Sequence, residues 1–273
     1  MSKEIDVEKI GLDNDYLFSA VMSDGNICKT FLEGLLKIEI DRIEVLDSQK
    51  TFNNGLDIKG VRLDIYVKDG KGTVYDIEMQ VSREKDISKR MRYYQSVMDE
   101  DLLKKGMFYE DLPNSFIIFI CTWDYVGLGE GIYIFKNMLE GKPEHQLDDG
   151  TTRIILNTEG SRSGLNQNVV DFLNYIQSGT VSGDWIRVVD EKVRLLKSNK
   201  KWRADYMTWM MHEEELKREG IREGIREGEQ RGLMKALQKL ASKGKTVEEI
   251  ADLYDMTIDE VNDYLEVQPL SRA

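Results

Sequence analysis

Residues 61–81 read VRLDIYVKDGKGTVYDIEMQV. A Lys-Asp-Gly-Lys-Gly turn at 68–72 separates two alternating runs, which predicts an antiparallel hairpin with strands over 61–67 and 73–81. Side chains alternate sides along a strand. Val61, Leu63, Ile65 and Val67 therefore oppose Arg62, Asp64 and Tyr66, and Tyr75, Ile77, Met79 and Val81 oppose Val74, Asp76, Glu78 and Gln80. Each strand has one apolar face, and the acids share the other. Taken alone, that pattern favours the solvated face of an antiparallel sheet. The competing reading is chemical: carboxylates on adjacent strands lie close enough to share a hard divalent cation, which takes oxygen ligands and keeps several waters.

The surrounding elements give the hairpin a frame. Asp13 or Asn14 caps a helix through Tyr16, Leu17, Phe18, Val21 and Met22, and helical spacing resumes over 27–36. A strand over 43–46 precedes the hairpin. A helix over 87–105 follows it, with Met91, Tyr94, Val97, Met98 and Leu102 inward and Gly106 as its stop. The charge-free run over 116–121 predicts a central strand buried on both faces. The hairpin runs straight into SREKDISKRMR (82–92), the most basic short stretch of the first half, so basic residues abut the acidic face.

Composition narrows the classes. With 273 residues, 41% of them hydrophobic, the chain can bury a core and still carry an appendage. A net charge of −12 argues against a general nucleic-acid coat protein but not against an enzyme that meets DNA through one patch. The two cysteines, Cys28 and Cys121, lack metal-ligand spacing and read as buried thiols of a reducing compartment. The N-terminus has no basic-then-apolar leader, and the 116–121 run is too short to span a bilayer. A cytoplasmic protein with no membrane contact is expected. His145 and His212 stand far apart in polar surroundings, which gives little support to a histidine metal site or a Ser-His-Asp triad. GLGEG at 127–131 lacks the context of a phosphate-binding loop and reads as a turn, so no nucleotide cofactor is expected.

The element order, together with Asp64, the hairpin and Glu78-Met79-Gln80, resembles the PD-(D/E)XK nuclease superfamily. More narrowly it resembles the PD-(D/E)XK nuclease family transposases, relatives of the recombination-promoting nucleases. The stretches that carry this are NDYLFSAVM, RLDI, DIEMQ, RMRYYQSVM, KKGMFYEDLPNSFIIFICTWD, GIYIFKN, IILNTEG and REGIREGIREG, in order along most of the chain. The resemblance implies an α/β fold with a restriction-endonuclease-like core (helix, three strands, helix, strand) and an α-helical C-terminal extension. It implies a metal-dependent DNA endonuclease tied to mobile elements or recombination. Asp64, Glu78 and the Met79 carbonyl would hold Mg²⁺ or Mn²⁺, with Asp15 either a further acid of that shell or an N-cap. Leu63 and Gln80 stand where the superfamily name has Pro and Lys; Gln80 then orients the attacking water without carrying charge. Arg90 and Tyr94, four apart on one helix face, match an Arg-x-x-x-Tyr pattern: Arg90 contacts DNA phosphate, helped by Lys85, Lys89 and Arg92, or braces the core with Tyr94. Asp76, in phase with Glu78, is either an acid behind the ligands or a solvated one.

The second half differs in kind. Helices are expected over 166–215, with Trp185, Trp202 and Trp209 as large contacts. The repeat REGIREGIREGEQRG spaces Gly220, Gly224, Gly228 and Gly232 four apart, so it is a flexible connector or, the favoured reading, a helix whose glycine stripe meets a second copy in a homodimer. TVEEIADLYDMTIDEVNDYL has helix-turn-helix rhythm, but its second helix carries Asp259, Glu260, Asp263 and Glu266 and no base, which suits a packing module better than DNA reading. The expected organisation is a nuclease-like domain over 1–160, a helical extension over 161–215, the glycine segment over 216–235 and a small helical module over 236–273. The alternative function is a weak or inactive nuclease fold acting as a DNA-binding or protein-interaction scaffold.

Overall fold

The computed structural model describes residues 6–52 and 60–266; the N-terminal leader reading falls partly on residues 1–5, outside them. The chain forms two compact units, Met1–Arg203 and Ala204–Ala273. In the first, α1 (Asp15–Met22) starts at Asn14, whose side chain accepts the Leu17 N–H (3.1 Å), and buries Leu17, Phe18, Val21 and Met22. Asp24 caps α2 (Gly25–Leu36), which buries Ile27, Phe31, Leu32 and Leu35.

The strands are β1 (Ile43–Phe52), β2 (Val61–Asp69) and β3 (Val74–Gln80), then α3 (Ile87–Leu102) and β4 (Ser115–Cys121). This is the expected order of helix, three strands, helix, strand. β5 (Ile132–Phe135), a β6–β7 hairpin (Met138–Leu139, Lys142–Gln146) and β8 (Thr151–Asn157) follow. Six strands form one sheet in the order β1-β2-β3-β4-β8-β5, with β4 parallel to both β3 and β8. The fold is mixed α/β, a six-stranded sheet flanked by helices with a helical C-terminal region.

The β2–β3 turn is built around Asp69, whose carboxylate accepts the N–H groups of Lys71 (2.9 Å) and Thr73 (3.0 Å) and the Tyr75 hydroxyl (2.8 Å). Gly72, at φ +87°, takes the left-handed step that closes the turn. β4 is buried along its length except at Phe116, as its charge-free run predicts. Its face carrying Ile117, Phe119 and Cys121 packs, with Val74, against Ile87, Met91, Val97 and Met98 of α3. Cys28 and Cys121 are buried and free, and burial pushes each thiol up to about 12. α4 (Gln167–Ser178) and α5 (Gly183–Ser198) pack with α1 and α2. Among the described residues, no helix is long and apolar enough to cross a membrane.

The glycine repeat lies within α6 (Lys200–Ser242), a continuous 43-residue helix. Four interior glycines cost it about 1 kcal/mol each relative to alanine; exposed pairs such as Arg218–Glu214 (2.8 Å) and Arg231–Glu227 (2.9 Å) offset part of that. Apart from the helix's own neighbouring backbone, nothing in the described residues lies within 4 Å of where a Cβ would sit on Gly220, Gly224, Gly228 or Gly232. In the second unit, α7 (Val247–Tyr254) and α8 (Ile258–Glu266) close a small core of Leu237, Ile250, Ala251 and Val261. Thr246 and Glu249 form a reciprocal capping box, and Thr257 and Glu260 repeat the exchange. Asp259, Glu260 and Asp263 are exposed.

Candidate active site

The hairpin that opens the sheet also opens the site. The β2–β3 ladder runs from Lys68–Val74 to Ile65–Ile77 and ends there. β3 remains paired with β4 as far as Gln80–Cys121, and β2 with β1 as far as Val61–Phe52. The sheet therefore parts between β2 and β3 at Asp64 and Glu78. Two main-chain donors lose their ladder partners at the gap, and the two acids replace them. The Asp64 N–H donates to Glu78 Oε1 (2.8 Å) and the Met79 N–H to Asp64 Oδ2 (3.0 Å). The N–H and C=O of one strand residue leave on the same side, so the Met79 carbonyl faces this gap too.

The solvated-face expectation fails here. Asp76 is 0% exposed, Glu78 3% and Gln80 7%. β3 lies between β2 and β4, and α3 packs over its acidic face, which leaves these side chains little contact with solvent. Burial, then repulsion from Glu78, raises the Asp64 carboxyl well above the usual range; its bond from the Met79 N–H pulls the other way. Burial, then Asp76, does the same to Glu78. Asp76 is raised by burial above all, with Asp64 adding to it. The Asp76 and Glu78 carboxyls touch, a contact that becomes a hydrogen bond only when one of them holds a proton. With both ionised, neither Asp76 oxygen has a donor.

Arg90 enters this acidic pocket from α3. Its Nη1 donates to Gln80 Oε1 (2.6 Å), its Nη2 donates to the Tyr94 hydroxyl (3.0 Å), and Nη2 lies 3.8 Å from Glu78 Oε2. The guanidinium sits 5.3 Å from the Phe119 ring centre and 5.5 Å from that of Tyr94. Burial pushes the Tyr94 hydroxyl up to about 12, with Glu78 adding to it. Gln80 is held at both ends, because its Nε2 donates to the Ser82 carbonyl (2.8 Å). One acceptor lone pair and one N–H of its amide remain.

The other predicted site residues lie further out. Asp15 is the first residue of α1 and exposed; Asn14 is the N-cap, so that role for Asp15 is withdrawn. Its charge still reaches Asp64, where Arg62 opposes it. Lys85, Lys89 and Arg92 are exposed where the chain leaves β3 and along α3. In the 127–131 turn, Asp124 takes the N–H groups of Gly127 (2.8 Å) and Gly129 (2.7 Å), so those donors are already engaged. Of the alternatives left open by the sequence, the structure has Arg90 braced inward with Tyr94 and Asp76 buried behind Glu78; the seat of Arg90 on Phe119 had no counterpart in the sequence reading. The apolar run of β4 was the available signal: a strand paired along its length with a doubly buried strand lies in the interior of the sheet.

A divalent cation fits the donor set. Asp64, Glu78 and the Met79 carbonyl offer hard oxygens at a break in the sheet, with an orphaned buried carboxylate behind them. Among the described residues, no three His, Cys, Asp or Glu side chains converge on one point. No curated protein and no solved structure matches the chain. The family model for the PD-(D/E)XK nuclease family transposases matches residues 12–177, more than half of the chain and all of the elements that build this site. The chain therefore belongs to the PD-(D/E)XK nuclease family transposases, nuclease-fold proteins linked to mobile elements.

Proposed function

We propose that this protein is a metal-dependent DNA endonuclease that hydrolyses phosphodiester bonds during recombination or the movement of mobile elements. One observation carries the reading: the sheet parts where the half-buried Asp64, the buried Glu78 and a main-chain carbonyl face the same gap. Asp64, Glu78 and the Met79 carbonyl hold Mg²⁺ or Mn²⁺, and Asp15 adds charge at the rim. When bound, the cation lowers the pKa of a water and offsets charge on the phosphate oxygens. Gln80, fixed between Arg90 and Ser82, orients that water with its remaining lone pair or N–H. Arg90 holds Gln80 and Glu78 in place and offers its exposed fraction to phosphate, while Lys85, Lys89 and Arg92 bind the DNA backbone. A second copy of the chain covers the open glycine stripe of α6, giving a homodimer with one site per strand. A cytoplasmic setting suits two buried free thiols.

The clamping of Gln80 favours the second reading, a weak or inactive scaffold, because no lysine stands where the water would be polarised. Incubation with supercoiled plasmid separates the two. Nicking with Mg²⁺ or Mn²⁺ that chelator abolishes supports the endonuclease; DNA retention without nicking leaves the scaffold.

A further inference from the structure

Asp76 has no place in the proposed ligand set, yet it is the most deeply buried of the three acids there. It is fully buried, and neither of its oxygens receives a hydrogen bond. An acid in that position destabilises a fold unless something compensates it, because its desolvation is not offset by any donor. An apolar residue would suit the strand better, since Asp76 pairs with Ile117 on β4 and Tyr66 on β2. Nearby charges do not supply the compensation. Arg90 is the cation that acts on both Asp76 and Glu78, and it is already shared among Glu78, Gln80 and Tyr94. At the exposed rim, Asp15 and Arg62 act on Asp64 with opposite sign. With all three ionised, Asp64, Asp76 and Glu78 against Arg90 leave two negative charges, the charge of one divalent cation.

We infer that Asp76 is a positioning residue of the cation site, supplying through its contact with Glu78 the third negative charge that a divalent cation held by Asp64 and Glu78 requires. The inference rests on the metal-dependent reading above and adds a residue to it. Its burial costs the empty protein stability, a cost that a bound cation would offset. Asp76→Asn keeps the shape, removes the charge and gives Glu78 an amide donor. It therefore makes the empty site easier to bury and the filled site harder to hold.

Isothermal titration of full-length protein with Mn²⁺ or Mg²⁺ alone, without DNA, tests one half; thermal unfolding in chelator tests the other. Asp76→Asn is expected to bind Mn²⁺ about 10- to 100-fold more weakly, the usual loss when a residue supporting metal ligands is removed. Its unfolding midpoint in chelator is expected to rise. Asp76→Ser, read alongside, should weaken the cation likewise. Affinity within twofold of wild type in both variants, or a midpoint that falls for Asp76→Asn, overturns the inference. Glu78→Gln separates the layers: if it abolishes binding while Asp76→Asn does not weaken it, the site stands and the role of Asp76 falls. If wild-type protein binds no cation, both readings fall together.

Discussion

Replacing Arg90 with Met asks whether this side chain is an internal counter-charge or a surface contact. Met keeps much of the apolar packing on Tyr94 and Phe119 but deletes the charge and every donor. The bonds to Gln80 (2.6 Å) and Tyr94 (3.0 Å) and the 3.8 Å pair with Glu78 are lost together. Breaking a fully buried pair costs about 3–5 kcal/mol. Arg90 is 28% exposed along its side chain and its ion pair is long, so screening brings the expected loss to about 2–3 kcal/mol. The pH dependence has a definite sign. Asp64, Asp76 and Glu78 have folded pKa values raised above their unfolded ones, chiefly by burial. Such groups favour folding most below the unfolded pKa, and that advantage disappears as pH rises through the folded pKa. Arg90 opposes the rise at Asp76 and Glu78 by favouring their ionised forms. Its removal should therefore cost least at about pH 5 and most at about pH 8. Urea unfolding by circular dichroism, in chelator at both pH values, measures the gap. A loss under about 0.5 kcal/mol at both, the effect of an ordinary surface substitution, would refute the internal role and leave Arg90 as a DNA contact. Arg90→Lys should recover only part, since an ammonium cannot reproduce the planar fork.

Glu78→Gln should abolish plasmid nicking while leaving the protein at least as stable in chelator, because the charge removed is a buried one; Asp64→Asn should behave alike, and wild-type nicking in either removes them from the site. Changing Lys85, Lys89 and Arg92 to Gln should weaken DNA binding and flatten its salt dependence by roughly one unit of slope per lost phosphate contact; an unchanged slope points to another surface. Deleting residues from 219 onward should turn a dimer into a monomer by light scattering, and an unchanged oligomeric state would show that the stripe of Gly220 to Gly232 meets no second copy.

Much of the fold was legible because its signals are local. Asn14 and Thr246 are caps that announce helices within a turn, and the Asp69–Gly72 turn fixes which strand residues face together. β5 and β8 were harder to read. Tyr133 and Ile134 give a four-residue strand too little length to show a period, and Arg153 interrupts the apolar run of β8. The glycine segment was ambiguous because propensity and charge pairing pull in opposite directions there.

The site was legible in its members and not in its environment, for a physical reason. Parity along a strand decides which residues share a face, and Asp64, Asp76, Glu78 and Gln80 do. What covers that face is decided by α3 and β4, elements further along the chain. Arg90 illustrates the limit: on a helix with Lys89 and Arg92 beside it, it reads equally as a phosphate contact and as a brace for Tyr94. Gln80 and Glu78 on β3 and Phe119 on β4, brought together by the β3–β4 pairing, decide for the inward role. The parting of β2 from β3 is likewise invisible in the alternation, which runs unbroken through Asp64 and Glu78. It becomes visible in the hydrogen bonds, where each acid accepts a main-chain N–H across the gap. Those two bonds also set a condition on function. Drawing Asp64 Oδ2 and Glu78 Oε1 fully away would leave two partly buried main-chain N–H donors without partners, at up to about 1–3 kcal/mol each, so in the proposed site these two acids would hold a cation at least cost by keeping those bonds.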